Sequence, residues 1–184
     1  RYHIENGKVT YSCRALESDT HEKNMAANRI VVSEFGTAAF PDPCKTIFQR
    51  LQTTFQTMMG KNWTDNCNVS VGYFGDQLYA MTETNVIRRI SPEDLHIIGD
   101  KTNISDYIAL NQATAHPHVC HDGTVYNMGN NYRHKRGPHY VLVKIPPTFG
   151  SSDTCYSQAQ IVAEIPVSTR MFPSYYHSFG ITKD

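Results

Sequence analysis

The sequence has no apolar run near the ~20 residues that span a bilayer, no C-x-x-C pair and no excess charge of either sign. Lys and Arg together number 17, as do Asp and Glu, so the formal net charge is zero with histidine neutral. A chain so balanced lacks the basic footprint of a nucleic-acid partner, and none is expected. Its densest basic stretch, Arg133-His134-Lys135-Arg136, runs straight into Gly137-Pro138 and reads as a solvated loop. The five cysteines, Cys13, Cys44, Cys67, Cys120 and Cys155, are odd in number and widely spaced. That excludes a zinc knuckle or thioredoxin-like motif and fits a reducing compartment, with the cytoplasm as the expected location. Short-range chelates such as H-E-x-x-H are absent, and no internal repeat stands out.

What remains is a globular composition, with 40% hydrophobic and 18% charged residues over 184 positions. That is enough for one domain with a sizeable core. Most of the chain reads as short strands separated by turn signals. Asn6-Gly7 divides a hairpin over Ile4–Ala15, and Gly75-Asp76 divides Val69–Phe74 from Gln77–Thr82. Val86–Ile90 leads into Ser91-Pro92-Glu93-Asp94, and Asp122-Gly123 separates Pro117–His121 from Thr124–Met128. Arg29–Phe35, His139–Ile145 and Gln160–Val167 complete the strands. One segment, Cys44–Met59, places Ile47, Leu51, Phe55 and Met58 at helical spacing, with Phe48 widening the stripe and Asp42 or Pro43 as its start. Such a stripe packs on a sheet, or it touches a membrane surface or shapes a substrate entrance. Many short strands with few helices predict an all-β fold, and periodicity leaves propeller, barrel and sandwich open.

Of nine histidines, two sit in unusual strings, His116 in Thr114-Ala115-His116-Pro117-His118 and His177 in Pro173-Ser174-Tyr175-Tyr176-His177-Ser178-Phe179-Gly180. A single histidine in a β protein is usually a packing residue. His116 and His118, at i and i+2, share a strand face. Pro117 intervenes, however, and His121 falls on the opposite face, so His118 is expected to pack or support and no local zinc site is expected. If His116 and His177 share a metal, they must come from different strands that converge in space.

Read as whole strings, these neighbourhoods resemble the carotenoid cleavage oxygenases. Asp122-Gly123-Thr124-Val125-Tyr126-Asn127-Met128-Gly129, Ser33-Glu34-Phe35-Gly36-Thr37, Phe40-Pro41-Asp42-Pro43-Cys44 and Thr82-Glu83-Thr84-Asn85 carry the same resemblance. The blocks occur in family order and cover nearly the whole chain. The stretch from Ala26 to Thr37 is most similar to the animal branch, the insect carotenoid isomerooxygenases above all.

The resemblance implies a seven-bladed β-propeller with iron(II) on its axis, held by four histidines from four blades. His116 matches the first ligand and His177 the second; the other two lie further along in family members. Residues 1–184 are therefore expected to be a single incomplete propeller domain, a piece of a longer protein that is inactive alone. Glu83 matches a carboxylate that orients a ligand, here His177. Phe35 and Thr82 match positions lining the substrate tunnel, where an aromatic face favours a cation-like polyene. Cys44 matches a cysteine lipid-modified in the retinal isomerohydrolase branch, and with Phe48 it marks a candidate peripheral membrane contact. The implied function is oxidative cleavage of a carotenoid by dioxygen to retinal-type aldehydes, with coupled isomerisation in some relatives. Retinyl ester isomerohydrolysis on the same scaffold and non-catalytic carotenoid binding are the alternatives.

Overall fold

The computed structural model describes residues 1–37, 46–49, 64–168 and 173–182. Turn chemistry builds the first element. Asn6 and Gly7 both adopt positive φ, 48° and 74°, the backbone that closes a tight hairpin between β1 (Tyr2–Glu5) and β2 (Lys8–Tyr11). A short helix, α1 (Asp19–Ala26), follows. Two antiparallel meanders then carry the rest. The first runs β3 (Ser70–Phe74), β4 (Gln77–Met81), β5 (Val86–Ile90) and β6 (Thr102–Asn103) in sequential order. In the second, β7 (Gln112–Ala113) and β8 (His118–Val119) share one edge of β9 (Val125–Asn131), and β10 (His139–Ile145) and β11 (Gln160–Pro166) follow outward.

The alternation in β10 shows why the strands form as they do. Val141, Val143 and Ile145 point into the core while the residues between them lie nearer the surface. Phe74, Tyr79, Met81 and Ile87 of the first meander join these residues, with Val125 and Tyr156, in one apolar core. Tyr79 brings a hydroxyl into that core and donates it to Gln77 Oε1 at 2.6 Å; burial pushes its pKa up to about 12. The meanders are also stitched at their rims. The β3–β4 turn donates from Asp76 N to the Thr148 carbonyl at 3.2 Å, and Gln77 Nε2 donates to the carbonyls of Ser151 and Asp153. A Cβ on Gly75, whose φ is 66°, would stand 1.8 Å from the Thr148 oxygen, so only glycine fits there.

A buried ion cluster joins α1 to β5. Ser18 caps the helix by accepting from His21 N at 3.1 Å. The Asp65 carboxylate accepts the N–H groups of Asp19 and Thr20 at 3.0 and 2.9 Å. Arg88 then donates to Asp65, with Nε at 2.8 Å, and to Asp19. Burial alone would raise the Asp65 pKa, but the Thr20 hydrogen bonds and Arg88 outweigh it and hold the group below the usual carboxylate range.

Two expectations need correction, and a third falls mostly outside the described residues. Arg29–Phe35 is not a strand, because the N–H groups of Val31 and Val32 both donate to Asn24 Oδ1 and that of Phe35 donates to Asn66 Oδ1. Side chains thus take the place of a neighbouring strand. Of Pro117–His121, only His118 and Val119 pair. Most of the segment expected as the Cys44–Met59 helix lies outside the described residues, as do Asp42 and Pro43. Residues 47–49 are helical, and Thr46 and Gln49 bond each other reciprocally as a capping box, so the helical turn starts after Thr46.

Gly75→Ala is expected to lower stability by ~1–3 kcal/mol or more, read as a reduced urea midpoint. Asp65→Ala leaves Arg88 buried with only Asp19 beside it and is expected to cost ~3 kcal/mol. Because the folded pKa of Asp65 is depressed, its contribution is complete above the ordinary carboxylate pKa and lost as the pH falls below it. Urea midpoints of the parent should therefore decline below about pH 4, and the decline should be shallower in Asp65→Ala.

Candidate metal centre

The site begins with a break in an edge strand. Gln112 and Ala113 face Asn130 and Gly129 across β9, while His118 and Val119 face Tyr126 and Val125. Between these pairs, residues 114–117 oppose only Asn127 and Met128. The surplus bulges out of the sheet, the usual means by which a strand re-aims a side chain, and His116 sits on the bulge.

His177 arrives from the segment 173–182, laid along the second meander. Ser174 N donates to the Tyr140 hydroxyl at 2.8 Å, Tyr176 donates to Asn130 Oδ1 at 3.0 Å, and the rings of Tyr140 and Tyr176 meet edge to face. His118 Nε2 lies 2.5 Å from the Phe179 carbonyl, and its ring meets Phe179 edge-on. His118 therefore anchors this segment, while His121 is exposed outside the cluster.

These supports bring the rings of His116 and His177 to 4.3 Å between centroids, tilted by 60°. Glu83, in the β4–β5 connection and only 1% exposed, reaches the same place. One carboxylate oxygen contacts His177 Nδ1 and the other accepts the Tyr175 hydroxyl. Tyr175 Oη is also 3.5 Å from His177 Nδ1. The hydrogen bond to Glu83, with burial and the carboxylate charge behind it, pushes the Tyr175 pKa up to about 12, which keeps it a neutral donor near pH 7. Ligand-capable atoms of Glu83, His116 and His177 all lie within 4.8 Å of one another.

The donor set fits a divalent transition metal. With Nδ1 on a carboxylate, His177 presents Nε2, the arrangement typical of metal-binding imidazoles. His116 Nε2 is buried without a hydrogen-bond partner. Left so, a buried polar atom costs ~1–3 kcal/mol, and imidazole nitrogen suits iron, copper, nickel and zinc alike. Both histidines open onto a cleft of about 630 Å³, also lined by Val71, Tyr73, Met81 and Phe179.

Three of the residues singled out from the sequence, His116, His177 and Glu83, are thus brought together. Thr82 is buried beside Glu83, and Phe35 is half-buried with its carbonyl held by Asn66 and Asn68; neither lines this cleft. Phe48 is exposed, and Cys44 lies outside the described residues. The bond from Tyr175 to Glu83 was not foreseen. Its signal was the i, i+2 spacing to His177, which puts both side chains on one side of an extended segment.

Comparisons with known proteins identify the family. The sequence profile described as retinal pigment epithelial membrane protein matches residues 1–184. The beta,beta-carotene 15,15'-dioxygenase of Gallus gallus is 44% identical over 184 residues, covering 98% of this chain and 35% of that protein. The carotenoid isomerooxygenase of Galleria mellonella is 45% identical over 184 residues, covering 100% and 35%. The chain therefore spans about a third of the length of these relatives. The crystal structure of Pseudomonas brassicacearum lignostilbene dioxygenase shares the fold, with a TM-score of 0.58 at 19% identity over 89% of this chain and 29% of that one. With the profile matched from end to end, the chain belongs to the retinal pigment epithelial membrane protein family, that of the carotenoid cleavage oxygenases.

Proposed function

We propose that the full-length protein is an iron(II)-dependent oxygenase that cleaves a carotenoid double bond with dioxygen to give retinal-type aldehydes, with isomerisation coupled to cleavage. The observation that carries this reading is the convergence of His116 and His177 beside the buried carboxylate of Glu83. The names of the relatives supply the substrate class. The two meanders are read as two blades of a seven-bladed propeller, with His116 and His177 as two of four histidine ligands.

In this reading His116 and His177 hold the iron through Nε2, and the iron supplies the dioxygen chemistry. Glu83 fixes the His177 ring through Nδ1 and makes it a better donor. Tyr175 donates its hydroxyl to the second carboxylate oxygen of Glu83, a group shielded from water. The cleft walls formed by Val71, Tyr73, Met81 and Phe179 offer an apolar surface to a polyene. Phe35 and Thr82 are read as tunnel residues completed by the rest of the chain. The exposure of Ile47 and Phe48 supports an apolar entrance or membrane-facing surface in that region.

The test uses the full-length protein with iron(II), all-trans β-carotene and air, following oxygen uptake and separating the products. Retinal-type aldehydes formed with matching oxygen uptake are expected, and both should vanish in His116→Ala and His177→Ala. Turnover of a retinyl ester without oxygen uptake would move the assignment to isomerohydrolysis; intact carotenoid bound without turnover would move it to a carrier. Glu83→Gln is expected to weaken iron binding ~10–100-fold, since it removes the charge that holds His177. Chelator competition measures this, and wild-type affinity would remove Glu83 from the site.

A further inference from the structure

The bulge at residues 114–117 is too long for its place in the sheet, and the groups that shape it bear directly on His116. Side chains supply the bonds that the ladder cannot. Asn127, 1% exposed on β9, donates from Nδ2 to the Thr114 carbonyl at 3.0 Å and accepts the Thr114 hydroxyl at Oδ1 at 2.8 Å. The same Oδ1 accepts Met128 N at 2.8 Å, which fixes the amide's orientation. The Thr114 oxygen in turn accepts His116 N at 3.3 Å. From the other meander, Ser70 at the start of β3 donates its hydroxyl to the Ala115 carbonyl. Each of the three residues leading to the His116 ring is therefore bonded by a side chain: Thr114 by Asn127, Ala115 by Ser70, and His116 by Thr114.

We propose that Asn127, Thr114 and Ser70 are positioning residues for the metal centre, clamping the bulge from both sheets so that His116 Nε2 is aimed toward His177. This rests on the reading of His116 and His177 as metal ligands. An unclamped four-residue bulge facing two residues can shift its crest without disturbing the strands on either side, and ligand placement tolerates only ~0.5 Å. A clamp that merely completed the sheet would have no need of both sheets. Here Ser70 and Asn127, on strands of different meanders, hold adjacent carbonyls. The bonds act on the backbone carrying the ring, so their loss is expected to loosen the metal and not to remove a ligand.

The experiment titrates the full-length protein with cobalt(II), reading affinity by chelator competition and site geometry by the visible d–d absorption. Thr114→Val removes the hydroxyl at nearly constant volume, Thr114→Ser restores it, and Ser70→Ala opens the other side of the clamp. Thr114→Val and Ser70→Ala are each expected to weaken cobalt(II) binding ~10–100-fold and to change the absorption, while Thr114→Ser stays near wild type. Ile87→Val, in the apolar core, should lower the urea midpoint without moving the cobalt(II) affinity. Folded Thr114→Val and Ser70→Ala proteins with wild-type affinity and spectrum would overturn the proposal. If Thr114→Val does not fold, Ser70→Ala on the cleft rim decides by the same two readouts. Cobalt(II) binding unchanged by His116→Ala would instead overturn the metal reading beneath it.

Discussion

A carboxylate excluded from water must be answered by its neighbours, and Glu83 is such a carboxylate. Its two oxygens meet Tyr175 and His177, both from a segment far along the chain. Removing either partner leaves a buried carboxylate oxygen without its contact, so the segment 173–182 is tied to the β4–β5 connection by energetics as well as by shape. That tie stands His177 against His116. Together with the anchors at Tyr140, Asn130 and His118, it brings two histidines from separate parts of the chain to one place.

The rest of the described structure serves this arrangement at a distance. The shared core joins the meanders, and Asp76 and Gln77 stitch their rims where Gly75 permits the approach, so the β4–β5 connection and the β7–β8 bulge keep one spacing. The Asp65–Arg88 cluster does the same for α1, with a paired charge where an apolar contact would have carried no direction. The hairpin β1–β2 contributes less, since Tyr2, Ile4, Val9 and Tyr11 remain exposed.

How much of this could be read from the sequence depended on how local its cause was. The Asn6-Gly7 hairpin was legible because positive φ at both positions belongs to those residues themselves. β10 was legible because a half-buried strand writes its period of two into the residues. Arg29–Phe35 misled because its β-branched run is real, but Asn24 answers its backbone before any strand can. Helix α1 went unnoticed because it carries no apolar stripe, although Ser18 marks its cap. At the site, His116, His177 and Glu83 were found through resemblance, whereas the bulge depends on cross-strand register, which no single segment encodes. Asn127 and Ser70 read as ordinary polar residues until that register is known.

The central claim is that His116 and His177 are ligands to one iron while Glu83 stands behind His177. A crystal structure of the full-length protein with anomalous data at the iron edge tests it most directly. The account predicts an iron peak at bonding distance from Nε2 of both histidines, with Glu83 on His177 Nδ1 and off the metal. An iron bound elsewhere, or one bonded to Glu83 in place of His177, would contradict it.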